Sequence, residues 1–318
     1  MSADRVAMAP DKPDLRPWTH VISITPFGPD GALDIDGFRR HLRRLRASGI
    51  GVYVGGSGSG EGYTLTAAET EALLRAAVEE LKGHVPVRAM GVEPRTARQM
   101  IEFLRLAKAA GVDAAQIYSL DVGHDTAPSP QEVERYFTDV LNEAPLPVVL
   151  STHFSVGYRL TPALMSKLVE TYPQVVGVNV THPDLGYLAE IIRAVGKRVP
   201  VMVGGPMQGL TVLALGGHGY LSSEGNIAPK LCVSIIKAFE AKDAGAMMAA
   251  FGTLIELFGV TLANGGTRVA KPALARYGLP GGESRLPRLT VADERLDLVV
   301  KAIERLNIPA IEGWNGES

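Results

Sequence analysis

Short runs of β-branched or apolar residues alternate along this chain with longer segments of helical periodicity. Eight such runs occur before residue 240, at positions 21–25, 51–54, 85–90, 114–118, 147–150, 175–180, 200–203 and 219–222. In the segment 66–81, which follows the second run, Leu73, Ala77 and Leu81 share one face, and this is the spacing of a helix. The alternation is typical of parallel β-strands joined by helices.

The number of these strand–helix units predicts the architecture. Eight units fit a (β/α)8 TIM barrel, whose usual size is about 250 residues. A doubly wound open sheet is the alternative, although it normally has fewer strands. We expect a flexible N-terminal tail at residues 1–17, the barrel at 18–240 and a C-terminal helical extension at 241–318, with helices near 243–262, 267–277 and 291–306.

Charge and composition exclude several kinds of partner. The 318 residues include 32 Lys and Arg against 34 Asp and Glu, so the chain offers no basic field to a nucleic acid. We see no apolar stretch of the ~20 residues that a spanning helix needs, and we expect no membrane segment. Cys232 is the only cysteine, which excludes an intrachain disulfide and is compatible with a reducing compartment. The sequence therefore predicts a soluble, cytoplasmic globular protein.

A turn rich in glycine and serine follows the second predicted strand. Residues 55–61 read GGSGSGE, and Thr66 with Glu69 then forms the capping box of the next helix. Successive backbone N–H groups and serine hydroxyls in such a turn can bind a carboxylate or a phosphate. A flexible turn is the simpler interpretation of an isolated run of this kind. The turn lacks the lysine of a phosphate-binding P-loop, which argues against a nucleotide site.

Three segments resemble those of the dihydrodipicolinate synthase and N-acetylneuraminate lyase family. Residues 54–66, VGGSGSGEGYTLT, resemble its glycine-rich signature, and residues 25–27, TPF, resemble the end of its first strand. Residues 216–222 and 226–229, GGHGYLS and NIAP, resemble its eighth-strand segment. The resemblance covers roughly residues 18–308, and the three motifs occur in the family's order on the expected elements.

This resemblance implies a fold, a chemistry and an assembly. Family members are TIM barrels that assemble as dimers or tetramers, and a lysine on the sixth strand forms a Schiff base with pyruvate or another 2-oxo acid. The iminium then serves as an electron sink for the adjacent carbanion. The glycine-rich turn binds the substrate carboxylate, and a tyrosine at the end of the fifth strand moves protons. By this resemblance we expect a homodimer or homotetramer that binds a small carboxylate.

The chain departs from the family at the positions that carry this chemistry. The pattern around the lysine falls on residues 177–180, GVNV, so that Asn179 stands where the amine is expected. Ser151 takes the place of the tyrosine, and residues 120–123, LDVG, lack the phenols of a second tyrosine pair. Two other lysines are poor substitutes: Lys230 begins the helix after the eighth strand, where a lysine usually points to solvent, and Lys271 lies on the C-terminal extension. We therefore expect no Schiff base.

Histidines follow three neighbouring strands on the face where TIM barrels form their sites. His153 follows the fifth strand, His182 with Asp184 the sixth, and His124 with Asp121 the fourth. They are interpreted either as acid–base groups or as ligands of a divalent metal, although their spacing matches no known metal motif. Each taken alone is more simply a loop residue. His20, His41 and His218 are assigned no role, His41 being expected on a helix surface.

The first hypothesis is a lyase or hydratase that acts on a small 2-oxo acid or related carboxylate without a Schiff base, by acid–base or electrostatic catalysis, with no cofactor or metal. Its predicted catalytic residues are His153, Asn179, Ser151 and His182. Its predicted substrate-binding residues are Ser57, Gly58, Ser59, Gly60, Thr25 and Tyr118. The alternative hypothesis is an inactive barrel that binds a small carboxylate or serves in assembly.

Overall fold

The computed structural model of the protein describes residues 16–314. Eight parallel strands close into a barrel in chain order, with the last strand paired to the first. The strands are β1 (Thr19–Ile22), β2 (Gly51–Gly55), β3 (Val87–Met90), β4 (Ala114–Ile117), β5 (Val148–His153), β6 (Val175–Thr181), β7 (Val201–Gly204) and β8 (Gly219–Leu221). The (β/α)8 barrel is confirmed, and the open sheet is wrong.

One helix follows each strand and covers the outside of the barrel. These helices are α1 (Ile35–Ser48), α2 (Ala67–Leu81), α3 (Ala97–Ala110), α4 (Pro130–Glu143), α5 (Pro162–Thr171), α6 (Leu185–Val195), α7 (Gly209–Ala214) and α8 (Pro229–Glu240). In α2 the predicted stripe of Leu73, Ala77 and Leu81 is buried, so the periodicity identified its inner face.

Local sequence signals explain where several of these helices begin and end. Thr66 accepts a hydrogen bond from the Glu69 backbone N–H, and the Glu69 side chain accepts one from the Thr66 backbone, which completes the predicted capping box of α2. Helices α1 and α3 end at Gly49 and Gly111, whose φ angles are 79° and 89°. Glycine reaches this left-handed conformation without the steric cost that a Cβ atom imposes.

Four helices follow the barrel. They are α9 (Ala244–Ala263), α10 (Thr267–Ala275), α11 (Glu294–Arg305) and α12 (Ile308–Glu312); the first three match the predicted helices, and α12 was not predicted. The Glu312 carboxylate of α12 accepts hydrogen bonds from the backbone N–H groups of Lys230 and Leu231, 3.2 and 3.0 Å away. Because these N–H groups lie at the start of α8, Glu312 caps that helix and attaches the extension to the barrel.

Helix α9 differs from the sequence prediction in its hydropathy. It has 20 residues and is, by length and composition alone, apolar enough to cross a membrane. In the structure it packs against α8 and α11, with Leu254 and Leu257 fully buried. Glu256 on the same helix forms an ion pair with Arg305 of α11. These are the contacts of a helix that is docked on a barrel.

Three further details differ from the predictions. Strand β1 lies two to three residues earlier than predicted, and β5 runs on through His153, so that this histidine ends the strand. His41 is completely buried on α1, with its Nε2 atom 3.0 Å from Asn226 Oδ1, and its predicted surface position is wrong. Of the predicted N-terminal tail, residues 1–15 lie outside the described part of the chain.

Candidate active site

A polar cluster crosses the inside of the barrel at the level of β4, β5 and β6. Asn179 of β6 pairs in register with Ser151 of β5, and both residues are buried. Asn179 Nδ2 donates a hydrogen bond of 3.3 Å to Gln116 Oε1 on β4. Ser151 Oγ and Asn179 Oδ1 have no hydrogen-bond partner among the described residues. Buried polar atoms in this state are free to bind a ligand.

A buried cation lies deeper in the barrel. Arg88 of β3 is 1% exposed, and its Nη1 atom donates a hydrogen bond of 3.0 Å to the Tyr53 hydroxyl. Arg88, Tyr53 and Asn179 line a cavity of about 10 Å³, which has room for one water molecule. Burial lowers the pKa of the neighbouring His20, and the charge of Arg88 lowers it further. The floor of the site therefore carries a single fixed positive charge beside a neutral imidazole.

His153 stands above this cluster, at the end of β5. Its Nδ1 atom accepts a hydrogen bond of 3.1 Å from the Ser155 backbone N–H and lies 2.6 Å from Ser155 Oγ. A neutral ring that accepts at Nδ1 carries its proton on Nε2. Burial lowers the pKa of His153, an effect that the negative charge of Glu93 partly opposes. Near pH 7 the ring is therefore a neutral hydrogen-bond donor through Nε2.

Glu93 contacts the glycine-rich turn, and the sequence prediction missed it. It lies in the loop between β3 and α3, where its Oε2 atom accepts a hydrogen bond from the Ser57 hydroxyl. Tyr118, at the end of β4, is buried. Burial raises the pKa of Tyr118, and the charge of Glu93 raises it further. Ser57 and Glu93 thus meet at the barrel mouth, and the charge of Glu93 acts on both Tyr118 and His153.

A signal for Glu93 was present in the sequence. The rule that picked out His153 and His182, namely that residues after strands form the site, applies equally to residues 91–95 after the third predicted strand. Gln116 carried a different signal, because it is a polar side chain inside a run that otherwise predicts a buried strand.

The rest of the glycine-rich turn is fixed by its own contacts. Thr25 Oγ1 donates a hydrogen bond of 2.8 Å to the Gly60 carbonyl, and Ser59 Oγ accepts one of 3.4 Å from Thr267. A Cβ atom on Gly60 would lie 1.9 Å from the carbonyl oxygen of Gly55, so only glycine fits there. Thr25, Ser59 and Gly60 are buried and brace the turn, whereas Gly58 is exposed at its tip.

The lysines of the described chain lie outside the barrel strands. Lys271 of α10 is fully buried beneath the glycine-rich turn, where it forms an ion pair with Glu61 and donates to the carbonyls of Thr25 and Glu283 at 2.7 and 2.8 Å. Lys230 Nζ donates to the Glu312 carbonyl at 2.7 Å. Both amines therefore already have partners away from Asn179.

His182 lies in the loop after β6, beside the site. Its Nδ1 atom accepts a hydrogen bond of 3.1 Å from the Asp184 backbone N–H, and its ring packs edge-on against Tyr187 with the centroids 5.2 Å apart. Asp184 caps α6 and forms an ion pair of 2.8 Å with Arg159. The predicted His182 and Asp184 pair is thus a loop structure in which the two side chains have separate partners.

The metal interpretation gains no support from the geometry. His124 is exposed in the loop after β4, and the neighbouring Asp121 forms an ion pair of 3.0 Å with Arg95. Within residues 16–314 no three His, Cys, Asp or Glu side chains come together as a metal-binding group. His124, His153 and His182 therefore do not form the ligand set that their order along the chain suggested.

The chain is similar to known proteins over most of its length. Residues 19–306 match the model of the Dihydrodipicolinate synthetase family. The chain is 29% identical over 293 residues to a 4-hydroxy-tetrahydrodipicolinate synthase of Sorangium cellulosum. This match covers 91% of this chain and 95% of that protein. It is 31% identical over 285 residues to a protein of the same name from Hyphomonas neptunium, with 88% and 94% covered.

The structure of a member of this family also matches the fold of this chain. YagE, a prophage protein belonging to the dihydrodipicolinic acid synthase family from E. coli K12, was solved in complex with pyruvate. It superposes on this chain with a TM-score of 0.83 and 26% identity, and the match covers 91% of this chain and 98% of that one. The fold, the motifs in their order and the relatives agree, and the chain belongs to the dihydrodipicolinate synthetase family.

Proposed function

We propose that this protein is a lyase or hydratase that acts on a small 2-oxo acid or related carboxylate without forming a Schiff base. The observation that carries the proposal is Asn179, a buried amide at the sixth-strand position where the resemblance expects a lysine. An amide nitrogen shares its lone pair with the carbonyl and does not condense with a ketone. The names of the relatives and the pyruvate complex of YagE support a small keto acid as the substrate class.

In place of an iminium, the site offers hydrogen-bond donors and charge. When a proton leaves the carbon next to a ketone, negative charge develops on the carbonyl oxygen. Donors that already point to this position stabilise that charge without reorganising. The candidate donors are Ser151 Oγ, His153 Nε2 and the second hydrogen of Asn179 Nδ2, whose first hydrogen is bonded to Gln116, and Arg88 adds a fixed positive charge below them. His182 is the candidate for a second proton donor at the rim.

The substrate carboxylate is assigned to the glycine-rich turn. The Ser57 hydroxyl is engaged with Glu93, so Gly58, Ser59 and Gly60 are left to receive the carboxylate through their backbone N–H groups. Thr25 and Tyr118 contribute by holding the turn. The proposal includes a homodimer or homotetramer in the cytoplasm, in line with the family resemblance.

A barrel that binds a carboxylate without turnover is the second candidate. Its supporting observation is that Ser57 already binds an internal carboxylate, Glu93, as it would bind a ligand. This candidate predicts saturable binding of 2-oxo acids with no chemical change in them.

Borohydride trapping and a substrate screen test these proposals together. The native protein is incubated with pyruvate and sodium borohydride, and the intact mass is measured. We expect no adduct, and a reduced adduct on any lysine would overturn the mechanism. Pyruvate, 2-oxobutyrate and 2-oxoglutarate are then followed by NMR with and without aldehydes. Turnover or hydrogen exchange supports the lyase, and binding without either supports the second candidate.

A further inference from the structure

We infer that Glu93 and His153 are the proton-transferring pair of this site: Glu93 removes the proton next to the substrate carbonyl while His153 Nε2–H hydrogen-bonds to the carbonyl oxygen. The inference rests on the proposed function and deepens it by assigning the base. It also restricts the substrate to a ketone that bears a hydrogen on the carbon next to its carbonyl group.

Glu93 differs in its partners from three carboxylates at the same end of the barrel. Among the ion pairs of residues 16–314, those three each have a cation: Glu61 with Lys271, Asp121 with Arg95 and Asp184 with Arg159. Glu93 is in none of these pairs, and its Oε2 atom accepts a hydrogen bond from the neutral Ser57 hydroxyl. A hydroxyl orients a carboxylate without cancelling its charge, which leaves Glu93 able to accept a proton.

The surroundings of His153 suit the complementary task. The Ser155 backbone N–H fixes the ring with its proton on Nε2, and the ring stacks on Phe154 with the centroids 4.9 Å apart. A cationic ring would form an ion pair with Glu93 and weaken it as a base. Because burial lowers the pKa of His153, the ring stays neutral and donates a hydrogen bond instead. A carboxylate base with a neutral imidazole donor is an effective arrangement for removing a proton next to a carbonyl.

The proton transfer needs no reagent other than the substrate and these side chains. The C–H bond breaks, its proton passes to Glu93, and its electron pair forms the carbon–carbon double bond of an enolate. The carbonyl π electrons move to the oxygen, where His153 Nε2–H, Ser151 and Asn179 stabilise the charge. When an aldehyde is present, the enolate carbon attacks it and a carbon–carbon bond forms, while the new alkoxide takes up a proton. Without an aldehyde, the enolate regains a proton from Glu93, and the substrate exchanges hydrogen with the solvent.

Exchange of the pyruvate methyl hydrogens in D₂O isolates this step, and ¹H NMR measures it directly. We expect Glu93→Gln to slow the exchange catalysed by the native protein by about 100-fold or more, because a general base contributes on the order of 10²–10⁴ in rate. Glu93→Asp should retain part of the activity.

His153→Gln serves as the companion variant, because it removes the imidazole but leaves the base. It should also slow the exchange, because the carbonyl oxygen loses one hydrogen-bond donor. Glu102→Gln is the matched control, since Glu102 is an exposed carboxylate on α3 that pairs with Arg98. It should exchange at the native rate. Circular dichroism and pyruvate affinity by calorimetry show whether each variant is folded and still binds.

Two results would overturn the inference in distinguishable ways. If folded Glu93→Gln exchanges pyruvate hydrogens at the native rate, the assignment of Glu93 is wrong and the proposed function stands. If the native protein exchanges none of pyruvate, 2-oxobutyrate and 2-oxoglutarate, the proposed function itself fails, and the assignment fails with it.

Discussion

The buried ion pair beneath the glycine-rich turn gives the sharpest prediction about stability. The Lys271 side chain is 0% exposed and that of Glu61 is 5% exposed. Lys271 donates to Glu61 and to the carbonyls of Thr25 and Glu283, so one amine joins the segment after β1, the glycine-rich turn and the segment after α10. Lys271→Met keeps much of the side-chain volume but removes all three hydrogen bonds. The Glu61 carboxylate would then be buried without its cation.

The expected loss of folding free energy is about 4 kcal/mol, because removing one partner of a buried pair costs roughly 3–5 kcal/mol. That is a large share of the ~5–15 kcal/mol by which proteins of ordinary stability are folded. The cost arises chiefly from the uncompensated carboxylate. Adding Glu61→Gln to Lys271→Met should therefore recover about 1–3 kcal/mol, an interaction energy typical of residues in direct contact.

Urea unfolding followed by circular dichroism measures these differences. Lys167→Met is the control: Lys167 forms an exposed pair with Glu134 at 2.6 Å, with 64% and 42% of the side chains exposed, and pairs of this kind contribute about 0–1 kcal/mol. If Lys271→Met unfolds at the same urea concentration as the control, the reasoning that this pair holds the turn is refuted. The reasoning also fails if the second substitution adds a further loss.

Three other predictions follow from buried or charged groups. Burial lowers the pKa of His41 to about 3 from 6.5, so the stability gained from its neutral ring is complete above pH 6.5 and is lost as the pH falls toward 3. His41→Gln should therefore flatten the dependence of the unfolding free energy on pH between 7 and 5. An unchanged slope would contradict this prediction. A hydrogen bond from Arg285 is the main reason that the pKa of Glu69 falls to about 2 from 4.5. The stability that this carboxylate contributes is therefore present above pH 4.5 and is lost as the pH falls toward 2. Glu69→Gln should remove this contribution, which urea unfolding measures. Asn179→Lys should gain a borohydride-trapped pyruvate adduct by intact mass, because burial near Arg88 keeps an amine neutral and nucleophilic; a folded variant without adduct would show that ketones do not reach this position.

The barrel was predictable because its strands are buried on both faces. Such strands read as continuous apolar runs, and the helices between them carry their own apolar stripes and caps. The strand limits were less predictable, since hydrogen bonding to neighbouring strands decides where a strand ends. His41 was misplaced for a related reason. Its partner Asn226 lies far away in the sequence, so no local pattern indicated that the imidazole is buried.

The sequence identified the region of the candidate site but only part of its organisation. Ser57 contacts Glu93, the charge of Glu93 acts on Tyr118 and His153, and Ser151 lies beside Asn179. His182 and His124 lie in loops with other contacts. The order of residues along the chain shows which loops share one end of the barrel. It does not show the angle at which each side chain points into it, and that angle separates His153 from His124. The catalytic and binding roles of all these residues remain predictions.

The three motif segments that carry the resemblance do not include Glu93, so no comparison confined to those motifs could have found it. Strand pairing places it, because β3 lies beside β2 and so brings the loop after β3 against the turn after β2. At the same time the position expected to hold an amine holds an amide, which can donate a hydrogen bond but cannot form a covalent bond to a ketone. In the proposed mechanism the amide of Asn179 stands in the place of the covalent electron sink. A site that stabilises an enolate by hydrogen bonds alone needs a separate base to create it, and Glu93 is the base assigned to that task.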